Sequence, residues 1–178
     1  TSYTKKEALE AIQLIHDHLL PFYEDRTRDE DRKAMQKASF LAGLAFTRAY
    51  VGYVHALAHA LGGSYDLPHG YANAVLLPHV LEAYGEKAYG KLAKISDSLS
   101  LTDKSLSKKE KAEAVINWIK NLKKSLSIPE RFPLGTVKKE DLEALATHAD
   151  KEAIPFYPVP KEMDKGELKQ VLIHSSEL

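Results

Sequence analysis

The chain has 178 residues, of which 44% are hydrophobic and 28% are charged, and this balance excludes a disordered protein. Lys and Arg together number 25, as do Asp and Glu, so there is no net charge and no basic excess of the kind that nucleic-acid binders carry. No apolar run approaches the roughly 20 residues of a membrane helix, so we expect no transmembrane segment and no membrane partner. The absence of cysteine removes disulfides and thiolate metal sites and fits the reducing cytoplasm.

Helical periodicity dominates the first fifty residues. A capping box at Thr4–Glu7 predicts the start of a helix that runs to Pro21. The stretch Glu24–Arg32 is almost entirely charged, which indicates a solvated connection. The next segment, Arg32–Tyr50, is apolar over too much of its circumference for a surface helix, and we expect it to be central and buried.

A second pair of helices follows, separated by a glycine-containing turn. The first is predicted over Gly52–Leu61 and is expected to stop at Gly62 and Gly63, because glycine readily adopts the left-handed C-cap conformation. Pro68 suits the first turn of the next helix, and Pro78 inside that helix predicts a kink.

The remaining segments also have helical periodicity. Ser107–Glu110 is a second capping box, and the helix after it is expected to reach about Leu126. Two short helices, Asp141–Ala149 and Asp164–Ile173, close the chain, and the second has the capping pattern Asp164-x-x-Glu167 at its start. Since no alternating strand pattern and no βαβ unit occurs, the sequence predicts one all-α, bundle-like domain over residues 1–178.

Three of the eight histidines lie close together around the predicted turn. His55 and His59 are four residues apart, so on a helix they share one face with Cβ atoms about 5–6 Å apart. Their neighbours are small or apolar, and imidazoles in such surroundings need partners for their ring nitrogens. His69 follows Pro68 at the start of a helix, where the positive dipole end keeps the ring neutral, as metal coordination requires.

Two interpretations of these histidines remain open from the residues alone. A pair at helical spacing is compatible with hydrogen-bonded, semi-buried side chains or with a divalent metal site. Ala56 stands where the zinc proteases of the His-Glu-x-x-His type have their general base, which excludes peptidase chemistry. The cluster offers two or three imidazoles and no obvious carboxylate, so a metal site would be incomplete in this chain.

The residues around the histidines resemble the C-terminal domain of the iron-containing (group III) alcohol dehydrogenases. The resemblance runs in register from Ala42 to Tyr84. It is carried by Ala42-Gly43-Leu44-Ala45-Phe46, His55-x-x-x-His59-x-Leu61-Gly62, Pro68-His69-Gly70-x-Ala72-Asn73-Ala74 and Leu77-Pro78-His79. The segment Tyr157-Pro158-Val159-Pro160 with Met163-Asp164 is similar to that family's C-terminal end.

This resemblance implies the helical second domain of a dehydroquinate synthase-like fold, in an enzyme that interconverts an alcohol and an aldehyde or ketone by metal-assisted hydride transfer. It implies an N-terminal domain that binds NAD or NADP, and a divalent metal between the domains, Fe²⁺ or alternatively Zn²⁺. His55 and His69 match two of the metal ligands. His59 matches a histidine near the nicotinamide that helps proton relay, and Phe46 matches a residue lining the substrate pocket.

The sequence also departs from the family pattern. The family's other two ligands are an Asp and a His spaced as Asp-x-x-x-His, and no aspartate here lies four residues before a histidine. A glycine-rich nucleotide motif is absent too. We therefore expect a C-terminal fragment that is inactive by itself, from a cytoplasmic enzyme that is homo-oligomeric when intact. Ile154-Pro155 stands where the family more often has Asn-Pro, which leaves that part of the pocket wall undefined.

Two alternatives to this assignment remain. One is a zinc-dependent polyol dehydrogenase or a dehydroquinate synthase relative, which keeps the fold and changes the metal or reaction. The other is a non-enzymatic helical module whose histidines are merely buried. For the histidines outside the cluster we expect structural or solvated positions: His16, His18, His79, His148 and His174.

Overall fold

The structure, a computed structural model, describes residues 2–153 and 157–178. Within these ranges it contains helices and no strand beyond one isolated bridge between Phe132 and Ser176. The prediction of an all-α fold is therefore confirmed. The helices are α1 (Ser2–Glu24), α2 (Asp29–Ala49), α3 (Tyr53–Tyr65), α4 (His69–Tyr84), α5 (Glu86–Leu99), α6 (Lys108–Ser125), α7 (Leu142–Ala153) and α8 (Lys165–His174).

The chain forms two compact units, and the first comprises residues up to 50 together with residues 90–115. In this unit α1 packs against α2. The buried carboxylate of Asp31 links the two helices, since its Oδ1 lies 2.6 Å from Nδ1 of His18 on α1. Its Oδ2 lies 2.6 Å from Nε of Arg28.

The second unit comprises residues 51–89 and 116–178 and contains the histidine cluster. Here α3 packs against α4 and α7, and α8 packs against α4 and α7. The buried face of α3 is lined by alanine and leucine, which lets the neighbouring helices approach closely. The prediction of a single domain over residues 1–178 stays a prediction.

Helix α1 differs from its predicted limits at both ends. It is already helical at Ser2, so Thr4 lies inside the helix and the predicted capping box there is wrong. It also continues past Pro21 to Glu24, although the proline removes the N–H donor to the Asp17 carbonyl and its ring crowds that carbonyl. The charged connection is shorter than predicted, since α2 begins at Asp29 with acidic residues that favour a helix N-terminus.

The prediction that α2 is central and buried is wrong for the described chain. Its buried apolar residues are Ala38, Leu41 and Ala45. Phe40 and Phe46 expose 65% and 53% of their surface, respectively. The packing of α2 within its unit therefore covers one narrow apolar stripe and leaves the rings of Phe40 and Phe46 exposed.

The predicted end of α3 at the two glycines is also wrong. The helix runs through Gly62 and Gly63 to Tyr65, and the left-handed cap is Asp66, with φ 53°. The backbone N–H of Asp66 donates to the Gly62 carbonyl at 2.9 Å, which closes the additional turn. Aspartate is among the few non-glycine residues that adopt this conformation readily.

The capping boxes of the later helices are confirmed. Glu110 N–H donates to Ser107 Oγ and Ser107 N–H donates to Glu110 Oε2. The corresponding reciprocal pair joins Asp164 and Glu167 at the start of α8. Helix α5 was not singled out from the sequence, and Pro78 lies inside α4 as expected. None of the described helices is both long enough and apolar enough to cross a membrane.

Candidate metal centre

Helices α3 and α4 place the three histidines of the cluster. His55 and His59 lie on adjacent turns of α3, and His69 is the first residue of α4. The left-handed residue Asp66 ends α3 and allows the chain to reverse within three residues. Because His69 begins its helix immediately after this reversal, its ring returns to the face of α3 that carries the other two.

The three imidazole rings form a compact triangle. The centroids of the His55 and His69 rings are 5.3 Å apart. The His59 ring lies 5.9 Å from the His55 ring and 5.3 Å from the His69 ring, stacked on the latter with an interplanar angle of 23°. The structure thus brings together the three histidines that the sequence singled out.

The spacing of His55 and His69 fits joint coordination of a metal ion. Two imidazoles that share a tetrahedral ion, each nitrogen about 2.1 Å from the metal, have ring centres about 5 Å apart. The observed 5.3 Å agrees with that geometry. Imidazole nitrogens are suitable donors for both Fe²⁺ and Zn²⁺.

The described residues nevertheless do not complete a coordination sphere. In residues 2–153 and 157–178, no group of three or more His, Asp or Glu side chains is arranged to hold a metal ion by itself. The nearest carboxylate in this cluster, Glu152, is engaged with His59. The two histidines are therefore compatible with part of a metal site that needs further donors.

Burial favours the neutral, metal-binding form of His55. Desolvation lowers the pKa of the His55 imidazole, and the neighbouring His69 and His59 rings lower this pKa further, while the Glu152 carboxylate acts in the opposite direction. A neutral imidazole has a free lone pair for a metal.

Two polar contacts of this cluster were missed by sequence reasoning. Oε1 of Glu152 lies 2.7 Å from Nδ1 of His59 and accepts a 2.6 Å hydrogen bond from the Tyr157 hydroxyl. Glu152 and His59 are 93 residues apart, so no local pattern could have connected them. Tyr157 could have been singled out, because it belongs to the segment Tyr157-Pro158-Val159-Pro160 that is similar to the family's C-terminal end.

Asn73 holds the third histidine from within α4. Its Nδ2 donates to the backbone carbonyl of His69 at 2.9 Å and lies 3.0 Å from Nε2 of the same ring. Asn73 belongs to the Pro-His-Gly motif. Its spacing of four residues from His69 could have predicted this contact, because residues four apart are neighbours on a helix.

Other residues singled out from the sequence lie elsewhere. Phe46 is on α2 in the first unit, so its predicted role in the substrate pocket stays a prediction. His79 is buried, and its Nε2 lies 3.1 Å from the Glu130 carbonyl oxygen, as expected of a structural histidine. Ile154-Pro155 lies outside the described residues.

Comparison with known proteins defines the family. The model of the Fe-containing alcohol dehydrogenase family, C-terminal, matches residues 1–176. The chain therefore belongs to the iron-containing alcohol dehydrogenase family and corresponds to its C-terminal region. This confirms the resemblance carried by the histidine motifs and by the segment around Phe46.

Individual relatives are similar over most of this chain. "Alcohol dehydrogenase 4" of Saccharomyces cerevisiae is 43% identical over 148 residues, which are 82% of this chain and 37% of the yeast protein. The 1,3-propanediol dehydrogenase of Citrobacter freundii is 37% identical over 94% of this chain and 43% of its own length. A crystal structure of 1,3-propanediol oxidoreductase superposes with a TM-score of 0.91 at 36% identity, covering 98% of this chain and 46% of that one. The chain thus spans less than half the length of the relatives that it matches.

Proposed function

We propose that this chain forms the metal-binding side of the active site of an oxidoreductase that interconverts an alcohol and an aldehyde or ketone with NAD or NADP. The observation that carries the proposal is the 5.3 Å separation of the His55 and His69 rings. It occurs in a chain whose family is the iron-containing alcohol dehydrogenases. The alternatives of a polyol or dehydroquinate synthase relative and of a non-enzymatic module are not favoured, because the relatives are named as alcohol and propanediol dehydrogenases.

In this proposal His55 and His69 hold the metal, Fe²⁺ or alternatively Zn²⁺, and the remaining ligands come from an N-terminal domain. When bound, the metal supplies Lewis-acid polarisation of the alcohol oxygen. His59 lies beside both rings, with Nδ1 at Glu152, and its Nε2 is the atom that would exchange the hydroxyl proton of the substrate. Phe46 would form an apolar part of the substrate pocket.

The N-terminal domain would also bind the nicotinamide cofactor, since the helical units described here contain no parallel sheet with a glycine-rich phosphate loop. The substrate would be a small alcohol or aldehyde. We further assign the complete enzyme to the cytoplasm and to a homo-oligomeric state, and we expect the isolated chain to be inactive.

A chimera tests this function directly. The region of the Citrobacter freundii 1,3-propanediol dehydrogenase that matches this chain is replaced by residues 1–178, which leaves the N-terminal part of that enzyme intact. Purified chimera is loaded with Fe²⁺ and assayed for oxidation of a panel of small alcohols with NAD and NADP.

We expect turnover that requires the metal and falls at least about 100-fold in kcat/KM when either His55→Ala or His69→Ala is introduced, because each substitution removes a proposed ligand. His148→Ala, on α7 and outside the cluster, is the matched control and should leave turnover unchanged. A folded, active chimera that tolerates both ligand substitutions would refute the proposed function.

A further inference from the structure

A single carboxylate oxygen next to the histidine cluster makes two short contacts. Oε1 of Glu152 lies 2.7 Å from Nδ1 of His59 and 2.6 Å from the Tyr157 hydroxyl oxygen. Glu152 lies in the last turn of α7, close to the buried residues Ala149 and Ala153, and α7 packs against α3. This packing brings the carboxylate to the surface of α3 that carries His59.

The chemistry of the two contacts determines where the protons lie. Burial raises the pKa of the Tyr157 phenol to about 12, and the hydrogen bond to Glu152 and its charge act in the same direction. The Tyr157 hydroxyl therefore keeps its proton and donates a hydrogen bond to Oε1. An ionised carboxylate has only acceptor atoms, so Nδ1 of His59 must be the N–H donor in the second contact.

Solvent and ring stacking both act on the His59–Glu152 pair. The side chain of Glu152 is 24% exposed and that of His59 is 43% exposed, so solvent competes only partly for the contact. The His59 ring is also stacked on His69 and meets His55 edge-on, which restricts its rotation. The ring is thus held by stacking on His69, by the edge-on contact with His55 and by Glu152 at one nitrogen.

We propose that Glu152, supported by Tyr157, is a positioning residue that fixes His59 in the tautomer protonated on Nδ1 and leaves Nε2 unprotonated. The tautomer of a histidine is set by the hydrogen bond at its other nitrogen, as in the carboxylate–histidine pairs of metal centres. The role of the unprotonated Nε2 as acceptor of a substrate proton is the only part that rests on the proposed function. The tautomer itself is a property of this chain.

Nuclear magnetic resonance of the ¹⁵N-labelled 178-residue chain tests the inference without any assay of activity. Long-range ¹H–¹⁵N correlation at alkaline pH distinguishes protonated from unprotonated ring nitrogens. We expect the wild-type spectrum to show His59 protonated on Nδ1. The Glu152→Ala variant should shift His59 to the form protonated on Nε2, whereas Glu152→Gln retains an acceptor oxygen and should keep most of the Nδ1 form.

The controls separate positioning from general disruption. Glu162→Ala removes an exposed carboxylate in the same unit that makes no contact with His59, and it should leave the His59 signals unchanged. Wild-type protein with His59 protonated on Nε2 would overturn the proposal without any variant. Retention of the Nδ1 form in Glu152→Ala would overturn it too.

The chimera gives a second readout. There Glu152→Ala should lower kcat at least about 10-fold with a smaller effect on KM, and Glu152→Gln should restore part of the loss. An inactive chimera with the expected wild-type tautomer would contradict the proposed function and leave the positioning role supported. An active chimera that is insensitive to Glu152→Ala would contradict the positioning role alone.

Discussion

The ammonium group of Lys123 lies 3.3 Å from the backbone carbonyl oxygen of Val75 and so connects α6 to the turn of α4 that contains Pro78. The same ammonium donates to the carbonyl of Glu130 at 3.2 Å. A proline inside a helix weakens the hydrogen bonding of the preceding turn, and Lys123 supplies an additional donor there. The lysine is buried although its neighbour Lys124 is exposed.

This burial makes protein stability depend on pH. Desolvation lowers the pKa of Lys123 from 10.5 to about 8. Between these values the unfolded chain binds a proton that the folded chain has lost, so stability must rise with pH through this window. The difference corresponds to about 3 kcal/mol as an upper limit. Urea unfolding at pH 7 and pH 10 should show the wild type gaining stability relative to Lys123→Met, which keeps the apolar volume and cannot titrate.

Lys124→Met is the matched control, because it removes the same charge from an exposed position of the same helix. It should follow the wild type across the whole pH range. A constant difference between the wild type and Lys123→Met at both pH values would contradict the buried, weakly basic state of Lys123.

Tyr53 is expected to contribute to stability through its hydroxyl group. The ring is 2% exposed. Its hydroxyl donates to the Met163 carbonyl at 3.2 Å and accepts from the Met163 N–H at 3.1 Å. Tyr53→Phe leaves both backbone groups unpaired in a buried site and should lower the free energy of unfolding by about 1–3 kcal/mol in chemical denaturation. Tyr50→Phe removes a hydroxyl from a 65% exposed ring and should have no measurable effect, so equal losses from both would contradict this account.

The first unit offers a separate test at Asp31. Its carboxylate is buried and contacts His18 and Arg28, whereas that of Asp29, in the same turn of α2, is exposed and pairs with Arg32. Asp31→Ala should destabilise the protein by about 1–3 kcal/mol, because it leaves the half-buried ring nitrogen of His18 without this partner. Asp29→Ala should have a much smaller effect, since exposed ion pairs contribute little. Thermal unfolding that ranks the two in the reverse order would contradict the role of Asp31.

Metal binding by the isolated chain should be weak. Two imidazoles provide fewer than the three protein ligands of a typical catalytic metal site. Calorimetric titration with Zn²⁺ or Fe²⁺ should therefore show no tight, stoichiometric binding at micromolar protein, and the same sample should show no alcohol oxidation with NAD or NADP. Stoichiometric binding that disappears in His55→Ala would show that this chain holds the metal without further donors.

Phe46 and Phe40 form a matched pair for the proposed substrate pocket. Both are exposed rings on α2, but only Phe46 is assigned to the proposed substrate pocket. In the chimera, Phe46→Ala should change the ratio of kcat/KM between bulky and small alcohols by about 10-fold, because it enlarges an apolar pocket. Phe40→Ala should leave this ratio unchanged. Equal effects of the two substitutions would argue against a pocket role of Phe46.

Much of the fold and part of the site followed from local patterns. The 3.6-residue period and the Ser107 and Asp164 capping boxes depend on residues within one or two turns, so the helices could be recognised without tertiary information. The motif spacing likewise singled out His55, His59 and His69. The end of α3 could not be predicted correctly in this way, because glycine is compatible both with a helix interior and with a helix cap. In the structure the helix ends at Asp66, where the chain reverses toward α4.

What the sequence determined by itself is therefore the helical class, the family and the three histidines, since all of these depend on residues near one another in the chain. Only the tertiary structure decided that Phe40 and Phe46 stay exposed, that Lys123 is buried, and that Glu152 reaches His59 across 93 residues. These features arise where separate helices pack together. Which side chains become buried there, and which ones contact each other, depends on which helix faces pack together. Helical periodicity within one segment does not specify the helix that it packs against.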